Sequence, residues 1–171
     1  AEGHAVSMAG GMAKQGLIPV FAVYASFLQR SYDMLLHDVA LQDPHVVLGV
    51  DRSGLVGADG ATHHGTEDIP SLTAIPHMTV LAPASFRELE EMLEQAVLHT
   101  RGPVAVRYPR GGQGRYTAGW NRRDEAVLRE GNDVTVVSYG VLINEALDAA
   151  DRAAEQGISP EVIKLNTLAP L

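Results

Sequence analysis

Short apolar runs alternate with amphipathic stretches along most of the chain, which is the pattern of an α/β fold. Strands of a parallel sheet form nearly continuous apolar runs because helices cover both faces of the sheet. Six such runs predict strands at residues 17–24, 45–50, 78–81, 104–106, 134–138 and 160–165. The pattern therefore predicts a doubly wound, mostly parallel sheet, followed by the start of a second α/β domain.

Amphipathic stretches between these strands predict three helices, each with apolar residues on one face at helical spacing. The helices are expected at residues 26–42, 86–100 and 141–155. Ser26 is expected to cap the first helix. Ser85 and Glu88 give the second helix the Ser-x-x-Glu pattern of a capping box.

Two adjacent glycines interrupt the Ala- and Met-rich stretch at residues 2–14. Glycine is a poor helix former, so Gly10 and Gly11 predict the close approach of another backbone. We expect this segment to make a close contact when two copies of the chain pair.

A glycine-rich, polar stretch without periodicity begins at residue 111. It divides the chain into a domain at 1–120, a linker at 121–133 and the beginning of a second domain at 134–171. A lone βαβ unit buries too little apolar surface to be stable by itself. The second domain is therefore expected to be truncated, and the chain to be a fragment of a longer protein.

The charge balance excludes several classes of partner. The 171 residues include 21 acidic and 13 basic side chains, which gives a net charge of −8 and no basic stripe for nucleic acid or an anionic membrane. There are no cysteines, so disulfides and thiolate sites are excluded. No apolar run approaches the roughly 18 residues of a membrane-spanning helix, and the first residues do not resemble a signal peptide. We expect a cytoplasmic protein with no nucleic acid and no membrane partner.

Residues 51–70 form a long polar loop that directly follows a predicted buried strand. Such loops are often functional, because α/β sheets bind ligands at the carboxyl ends of their strands. Gly54, Gly57 and Gly60 in this loop have the wrong spacing for a dinucleotide fingerprint. No phosphate-binding lysine motif is present either.

Four arginines lie near predicted strand ends or helix starts: Arg30, Arg52, Arg107 and Arg110. A guanidinium group binds carboxylate or phosphate at two points. Several arginines converging on one cleft would suit a phosphorylated substrate. The alternative is that each forms an ordinary salt bridge in solvent.

His63 and His64 stand close in sequence to Asp59 and Asp68, which raises the possibility of a metal site. Adjacent residues in an extended loop point to opposite sides, so the two histidines rarely bind one ion. A single histidine that moves a proton, or donates to a substrate oxygen, is the more economical hypothesis. We expect no metal site within these residues.

Several blocks of residues carry a more specific signal, and they lie in a fixed order along the first 111 residues. The blocks are Ala1-Glu2, Tyr24-Ala-Ser-Phe27-Leu-Gln-Arg30, Asp51-Arg52-Ser53-Gly54, Asp59-Gly60-Ala61-Thr62-His63-His64-Gly65 and Arg107-Tyr108-Pro109-Arg110-Gly111. In these blocks the chain resembles the 1-deoxy-D-xylulose-5-phosphate synthases, a thiamine-diphosphate-dependent family related to transketolase.

The resemblance implies an activity. It identifies the chain as the central, pyrimidine-binding domain of an enzyme that joins pyruvate to D-glyceraldehyde 3-phosphate with loss of CO₂. The product, 1-deoxy-D-xylulose 5-phosphate, feeds isoprenoid and thiamine synthesis. The family's diphosphate is bound through Mg²⁺ by a further, N-terminal domain. A homodimer is expected, and the isolated fragment is expected to be inactive.

The resemblance also implies roles for individual residues. Glu2 would hydrogen-bond the aminopyrimidine ring of the cofactor, and Phe27 would stack on it. Glu2 and His63 are expected to be catalytic. Substrate-binding roles are implied for Tyr24, Arg30, Arg52, Asp59, His63 and Arg110.

One departure from the family pattern leaves alternatives open. Glu67 stands where the family usually has an aromatic residue, and Glu67-Asp68 is more like transketolases. The alternatives are ketol transfer between sugar phosphates and a non-catalytic, dimerising homologue.

Overall fold

In the computed structural model, which describes residues 1–171, the chain forms two sheets with helices packed against them. The strands are β1 (Val20–Tyr24), β2 (Val47–Asp51), β3 (Thr79–Leu81), β4 (Val104–Arg107), β5 (Glu125–Arg129), β6 (Val134–Tyr139), β7 (Pro160–Leu165) and β8 (Thr167–Ala169). The helices are α1 (Glu2–Lys14), α2 (Ala25–Leu28), α3 (Tyr32–Met34), α4 (Asp68–Thr73), α5 (Phe86–Leu98) and α6 (Ile143–Ala154). No α-helix in the chain combines the length and the apolar character that a membrane crossing requires.

The first sheet has the strand order β1-β2-β4-β3-β8. The first four strands are parallel, and β8 pairs antiparallel with β3. In the register of this sheet Tyr24 lies opposite Asp51, and Val50 lies opposite Arg107. The carboxyl ends of β1, β2 and β4 therefore lie side by side.

Helices cover both faces of the first sheet, which confirms the predicted doubly wound, mostly parallel α/β class. On one face α1, the helical residues 25–42 and α4 contribute Val6, Leu35 and Leu72 to a buried apolar cluster. On the other face Met92 and Ala96 of α5 pack in a second buried cluster. Burial on both faces explains why these strands appear in the sequence as continuous apolar runs.

The second sheet has the order β5-β7-β6, and α6 packs on it through Ile143, Ala146 and Ala150. Strand β5 lies within residues 121–133, which the sequence predicted to be a linker without regular structure. It pairs antiparallel with β7. Its residues are only partly buried or exposed, so they form no continuous apolar run. Strand β8 was also missed; it is three residues long and follows β7 after the single residue Asn166.

The single helix predicted at residues 26–42 is wrong in detail. The segment consists of α2, a 3₁₀ turn at Gln29–Ser31, α3, a π-helical turn at Leu35–Val39 and a second 3₁₀ turn at Ala40–Gln42. Ser26 is not a cap: Tyr24 precedes α2, and the buried Ser26 Oγ has no hydrogen-bond partner. The apolar spacing was nevertheless informative, because Leu28, Leu35 and Val39 are all buried.

The prediction of a close backbone approach holds for Gly10 and fails for Gly11. A Cβ atom added to Gly10 would lie 2.7 Å from the carbonyl oxygen of Asp38, whereas one added to Gly11 would meet nothing within 4 Å. The π-helical turn that contains Asp38 is thus the backbone that crowds α1.

The capping box at α5 is half formed. Ser85 Oγ accepts a hydrogen bond from the Glu88 backbone N–H at 3.0 Å, as predicted. The Glu88 carboxylate accepts from the backbone N–H of Ala84, at 2.8 Å, instead of returning to Ser85. Glu88 is 1% exposed, so its carboxylate needs partners inside the protein.

Candidate active site

Three parallel strands end at one edge of the first sheet and bring residues from distant parts of the chain together. Tyr24 is the last residue of β1, Asp51 is the last residue of β2, and Arg110 follows β4 by three positions. Ligands of open α/β sheets bind at this edge.

The arginines at this edge share one carboxylate. Arg52 Nε donates to Asp59 Oδ2 at 2.9 Å, and Arg110 Nη1 donates to Asp59 Oδ1. The Arg52 guanidinium also lies over the ring of Tyr24, with 3.7 Å between its central carbon and the ring centroid. Its backbone adopts a left-handed conformation with φ of 59°, which is uncommon outside glycine and often found at functional sites.

The ionisation of Asp59 follows from these contacts. Desolvation by its surroundings disfavours the carboxylate, but the hydrogen bonds and charges of Arg52 and Arg110 outweigh this effect, and the pKa of Asp59 is lowered. Two carboxylates, Asp51 and Asp59, balance the two guanidinium groups. The side chain of Arg110 is 46% exposed and uses one nitrogen on Asp59, so it retains donors for an anion.

An aromatic row continues from Tyr24 into the loop after β2. The rings of Tyr24 and Phe27 stack with centroids 5.2 Å apart, and the His63 ring lies 5.4 Å from Phe27. The guanidinium group of Arg30 also lies over the Phe27 ring, with its central carbon 4.9 Å from the ring centroid. Thr62 Oγ1 lies 3.0 Å from His63 Nδ1, which leaves Nε2 of the imidazole for a ligand.

Glu2 joins this row from the first turn of α1. One of its carboxylate oxygens lies 3.5 Å from Arg30 Nη1. A hydrogen bond from its own backbone N–H lowers the pKa of Glu2. Desolvation opposes this effect, and the charges of the Ala1 amino group and of Arg30 add to it. Glu2 and Phe27 line the same cavity of about 420 Å³, whose other walls are mainly apolar.

The eight site residues expected from the sequence thus form one continuous series of contacts. In spatial order the series is Glu2, Arg30, Phe27, then His63 on one side and Tyr24, Arg52, Asp59 and Arg110 on the other. The structure brings the residues together, and their individual roles remain predictions.

A second cavity, of about 300 Å³, adjoins the arginine end of the series. Its lining includes Arg52, Tyr108 and Arg110 together with residues 83–86, the turn that leads into α5. Tyr108 was not singled out from the sequence; burial and the charge of Asp51 raise its pKa.

Asp51 was also missed, although its position at the end of an apolar run could have indicated it. It accepts a hydrogen bond from the Arg52 backbone N–H at 2.6 Å and a second one from the Arg52 side chain. Asp51 therefore holds the arginine in its left-handed turn.

Other residues considered in the sequence lie outside the contact series, and two of them form hydrogen bonds within the protein. The buried side chain of Arg107 donates to Asp68 at 2.7 Å, so it forms an ion pair within the protein and does not join the contact series of the other arginines. His64 Nδ1 accepts from the backbone N–H of Val56, at 3.2 Å, and so orders the loop. Histidines and carboxylates form no group of three that could hold a metal ion. Glu67 is exposed and lines neither cavity.

Comparison with known proteins supplies the family. Residues 1–113 match the family model described as the pyrimidine-binding domain of transketolase. The chain belongs to this family. Residues 125–171 match the model of the transketolase C-terminal domain, so both sheets correspond to parts of family members.

Curated relatives and a solved structure agree with this assignment. The chain is 46% identical to the 1-deoxy-D-xylulose-5-phosphate synthase of Chlorobium luteolum and 48% identical to that of Thermomicrobium roseum, with 100% of the chain covered. It spans 28% of the length of each. A solved structure described as a split-gene transketolase, in an inactive β4 tetramer, has a TM-score of 0.87 at 26% identity, over 98% of this chain and 55% of that one.

Proposed function

We propose that the chain is the pyrimidine-binding part of a thiamine-diphosphate-dependent 1-deoxy-D-xylulose-5-phosphate synthase. The reaction condenses pyruvate with D-glyceraldehyde 3-phosphate and releases CO₂. The observation that carries the proposal is the contact series from Glu2 to Arg110. A carboxylate and an aromatic ring lie at one end of the series, and two arginines lie at the other end. The names of the curated relatives support the same activity.

The residues at the Glu2 end fit the cofactor's aminopyrimidine ring. A flat heteroaromatic ring needs an apolar recess with an aromatic face, and Phe27 beside the 420 Å³ cavity offers both. The lowered pKa of Glu2 keeps its carboxylate ionised and able to accept a hydrogen bond from a protonated ring nitrogen. When bound, thiamine diphosphate supplies the carbon nucleophile and the electron sink for decarboxylation. We place its diphosphate and Mg²⁺ in a part of the protein beyond these residues.

The arginine end fits a phosphorylated acceptor substrate. Arg110 and Arg52 would bind the phosphate of D-glyceraldehyde 3-phosphate by charge-assisted hydrogen bonds. Asp59 and Tyr24 would orient the substrate through the arginines that they contact. His63 would donate to, or accept from, its hydroxyl or carbonyl oxygen, and Arg30 would position Glu2 beside Phe27.

Glu2 provides the test of this proposal in the full-length protein. Glu2→Ala is expected to lower kcat for 1-deoxy-D-xylulose 5-phosphate formation by roughly a hundredfold or more, because a positioned proton-transfer partner is lost. Glu90→Ala, at an exposed glutamate without an ion pair, serves as the matched control. Near-wild-type turnover of Glu2→Ala would refute the role of Glu2. A clear preference for xylulose 5-phosphate over pyruvate as donor would replace the synthase by a transketolase-like activity.

A further inference from the structure

One buried lysine has no part in the proposed chemistry. Lys164 of β7 is 0% exposed, and its Nζ lies 3.0 Å from Oε1 of Glu88 on α5. Asn166 accepts a further hydrogen bond from the same ammonium group. The ion pair therefore links the second sheet to the helix that covers the first.

The Glu88 carboxylate also accepts hydrogen bonds from other parts of the chain. Its Oε1 also accepts from the hydroxyl of Tyr116 at 2.8 Å, and its Oε2 accepts from the backbone N–H of Ala84. The Lys164 ammonium lies 5.5 Å from the ring centroid of Tyr116. Both carboxylate oxygens are thus occupied, one by the second sheet and one by the turn before α5.

That turn is a wall of the arginine-lined cavity. Residues 83–86 line the same 300 Å³ cavity as Arg52 and Arg110. The turn has two further attachments: Ser85 Oγ donates to the carbonyl of Ala118 at 2.7 Å, and the Phe86 N–H donates to Gln113 Oε1 at 2.8 Å. Ala84 also packs with Ile143 and Val162 of the second unit, and Glu88 adds the polar attachment to Lys164 of the second sheet.

Stability alone does not explain a charge at position 164. Lys164 lies on the same buried face of β7 as Val162, which packs in an apolar cluster with Ala84 and Ile143. Burial lowers the pKa of Lys164, and the charge and hydrogen bond of Glu88 oppose the effect. Apolar residues of similar volume often stabilise a protein as well as a buried ion pair does, whereas an ion pair also fixes the positions of the groups that it joins.

We propose that Lys164 and Glu88 form a positioning pair that holds the turn at residues 83–86 at the distance from Arg52 and Arg110 that a bound phosphate group requires. The identity of the ligand rests on the proposed function. The geometric part rests only on the contacts of Lys164, Glu88 and the turn.

The test uses the full-length protein with Lys164→Met and Glu88→Gln combined. Methionine keeps the length of lysine without its charge, and glutamine keeps an acceptor for the Ala84 N–H. Two quantities are measured: hydrogen exchange of peptides that contain Ala84 and Phe86, and the affinity for inorganic phosphate by calorimetry. The relevant phosphate binding is the part that Arg110→Met removes.

We expect faster exchange in these peptides and an affinity for phosphate weakened by about threefold or more in the double variant. Tyr116→Phe, which removes one hydroxyl and carries little risk to folding, should shift both quantities in the same direction by less. Arg129→Met removes an ion pair between β5 of the second sheet and Asp151 of α6, and it should change neither the hydrogen exchange nor the affinity for phosphate.

Wild-type values of either quantity in both the double variant and Tyr116→Phe would overturn the proposal, as would a wild-type protein without Arg110-dependent phosphate binding. Neither readout depends on turnover. A protein that binds phosphate in this way and yet forms no 1-deoxy-D-xylulose 5-phosphate would refute the proposed function and leave the positioning pair in place.

Discussion

Asp59 is the residue on which the arginine end of the site depends. Its two oxygens hold Arg52 and Arg110, which come from different strands of the first sheet. A carboxylate shared in this way limits the rotamers of both guanidinium groups before a ligand arrives. This preorganisation lowers the entropy that binding would otherwise cost.

The guanidinium group of Arg110 can bind a phosphate at two points, which leads to a prediction about substrate affinity. Arg110→Lys in the full-length protein is expected to raise KM for D-glyceraldehyde 3-phosphate by about tenfold or more, since lysine loses two-point binding of phosphate. The KM for pyruvate should be unchanged. Arg101→Lys, at an exposed arginine without an ion pair, is the control in steady-state kinetics. Equal KM values for Arg110→Lys and wild type would contradict a phosphate contact.

The lowered pKa of Asp59 predicts a pH dependence. A group whose pKa is lower in the folded than in the unfolded state stabilises the protein above its unfolded pKa, and this stabilisation is lost as the pH falls through the folded value. Asp59→Asn should therefore lower the melting temperature at about pH 7, and the difference from wild type should shrink toward about pH 3. Thermal unfolding of both proteins between about pH 3 and about pH 7 measures this difference in melting temperature. A difference that grows as the pH falls would show that the sign is wrong.

Residue types near strand ends could be predicted from the sequence, but their partners could not. The sequence favours Arg110 over Arg107, because Arg110 follows Tyr108-Pro109 and precedes two glycines, but only the fold shows that Asp68 pairs with Arg107. Asp68 lies 39 positions away, so no local pattern indicates the pair. The blocks that resemble the synthase family predicted eight candidate residues that the fold brings together, because such blocks carry information that spacing alone lacks.

At the scale of elements, the crowding between α1 and the π-helical turn has a measurable consequence. Gly10→Ala is expected to destabilise the protein by roughly 1 to 3 kcal/mol, because its Cβ would meet the carbonyl of Asp38 at 2.7 Å. Gly11→Ala should instead stabilise it by roughly 0.5 to 1 kcal/mol, since the new methyl group meets nothing and alanine favours helix. Denaturant titration of both variants gives the two values, and changes of equal sign would contradict this packing.

Continuous apolar runs, more than burial itself, decided which strands the sequence revealed, because β6 is as exposed as β5 and was predicted. β2 and β4 are almost wholly buried and were predicted within two residues of their ends. β5 is half exposed, and the π-helical turn at Leu35–Val39 has the same apolar spacing as an ordinary helix. A pattern of apolar positions reports which face is covered, and it does not report the hydrogen-bond register of a turn.

At the scale of the whole molecule, the two sheets are joined by more than the connecting chain. β8 follows β7 of the second sheet after one residue and adds itself to β3 of the first sheet. The Lys164–Glu88 pair lies beside this crossing. The division at 1–120, 121–133 and 134–171 therefore remains a prediction about folding units. The cytoplasmic location is a separate prediction.

Exposed apolar side chains occur on α1 and at the β1 edge of the first sheet. Met8 and Leu17 are 53% and 54% exposed, and Val20, on the edge strand, is 54% exposed. Ile18 and Met12 adjoin them in sequence and are 49% and 37% exposed. Apolar patches and open strand edges of this kind are normally covered in the working protein.

We expect a second copy of the chain to cover this surface, so the full-length protein should be a homodimer. Met8→Lys combined with Met12→Lys is expected to raise the dimer dissociation constant by about tenfold or more, because buried charges without partners oppose association. Val137→Lys, at an apolar residue 56% exposed on the second sheet, is the matched control. Light scattering with size-exclusion chromatography over a dilution series distinguishes the outcomes. A full-length monomer, or a double variant that dimerises like the control, would mean that another part of the same chain covers the β1 edge.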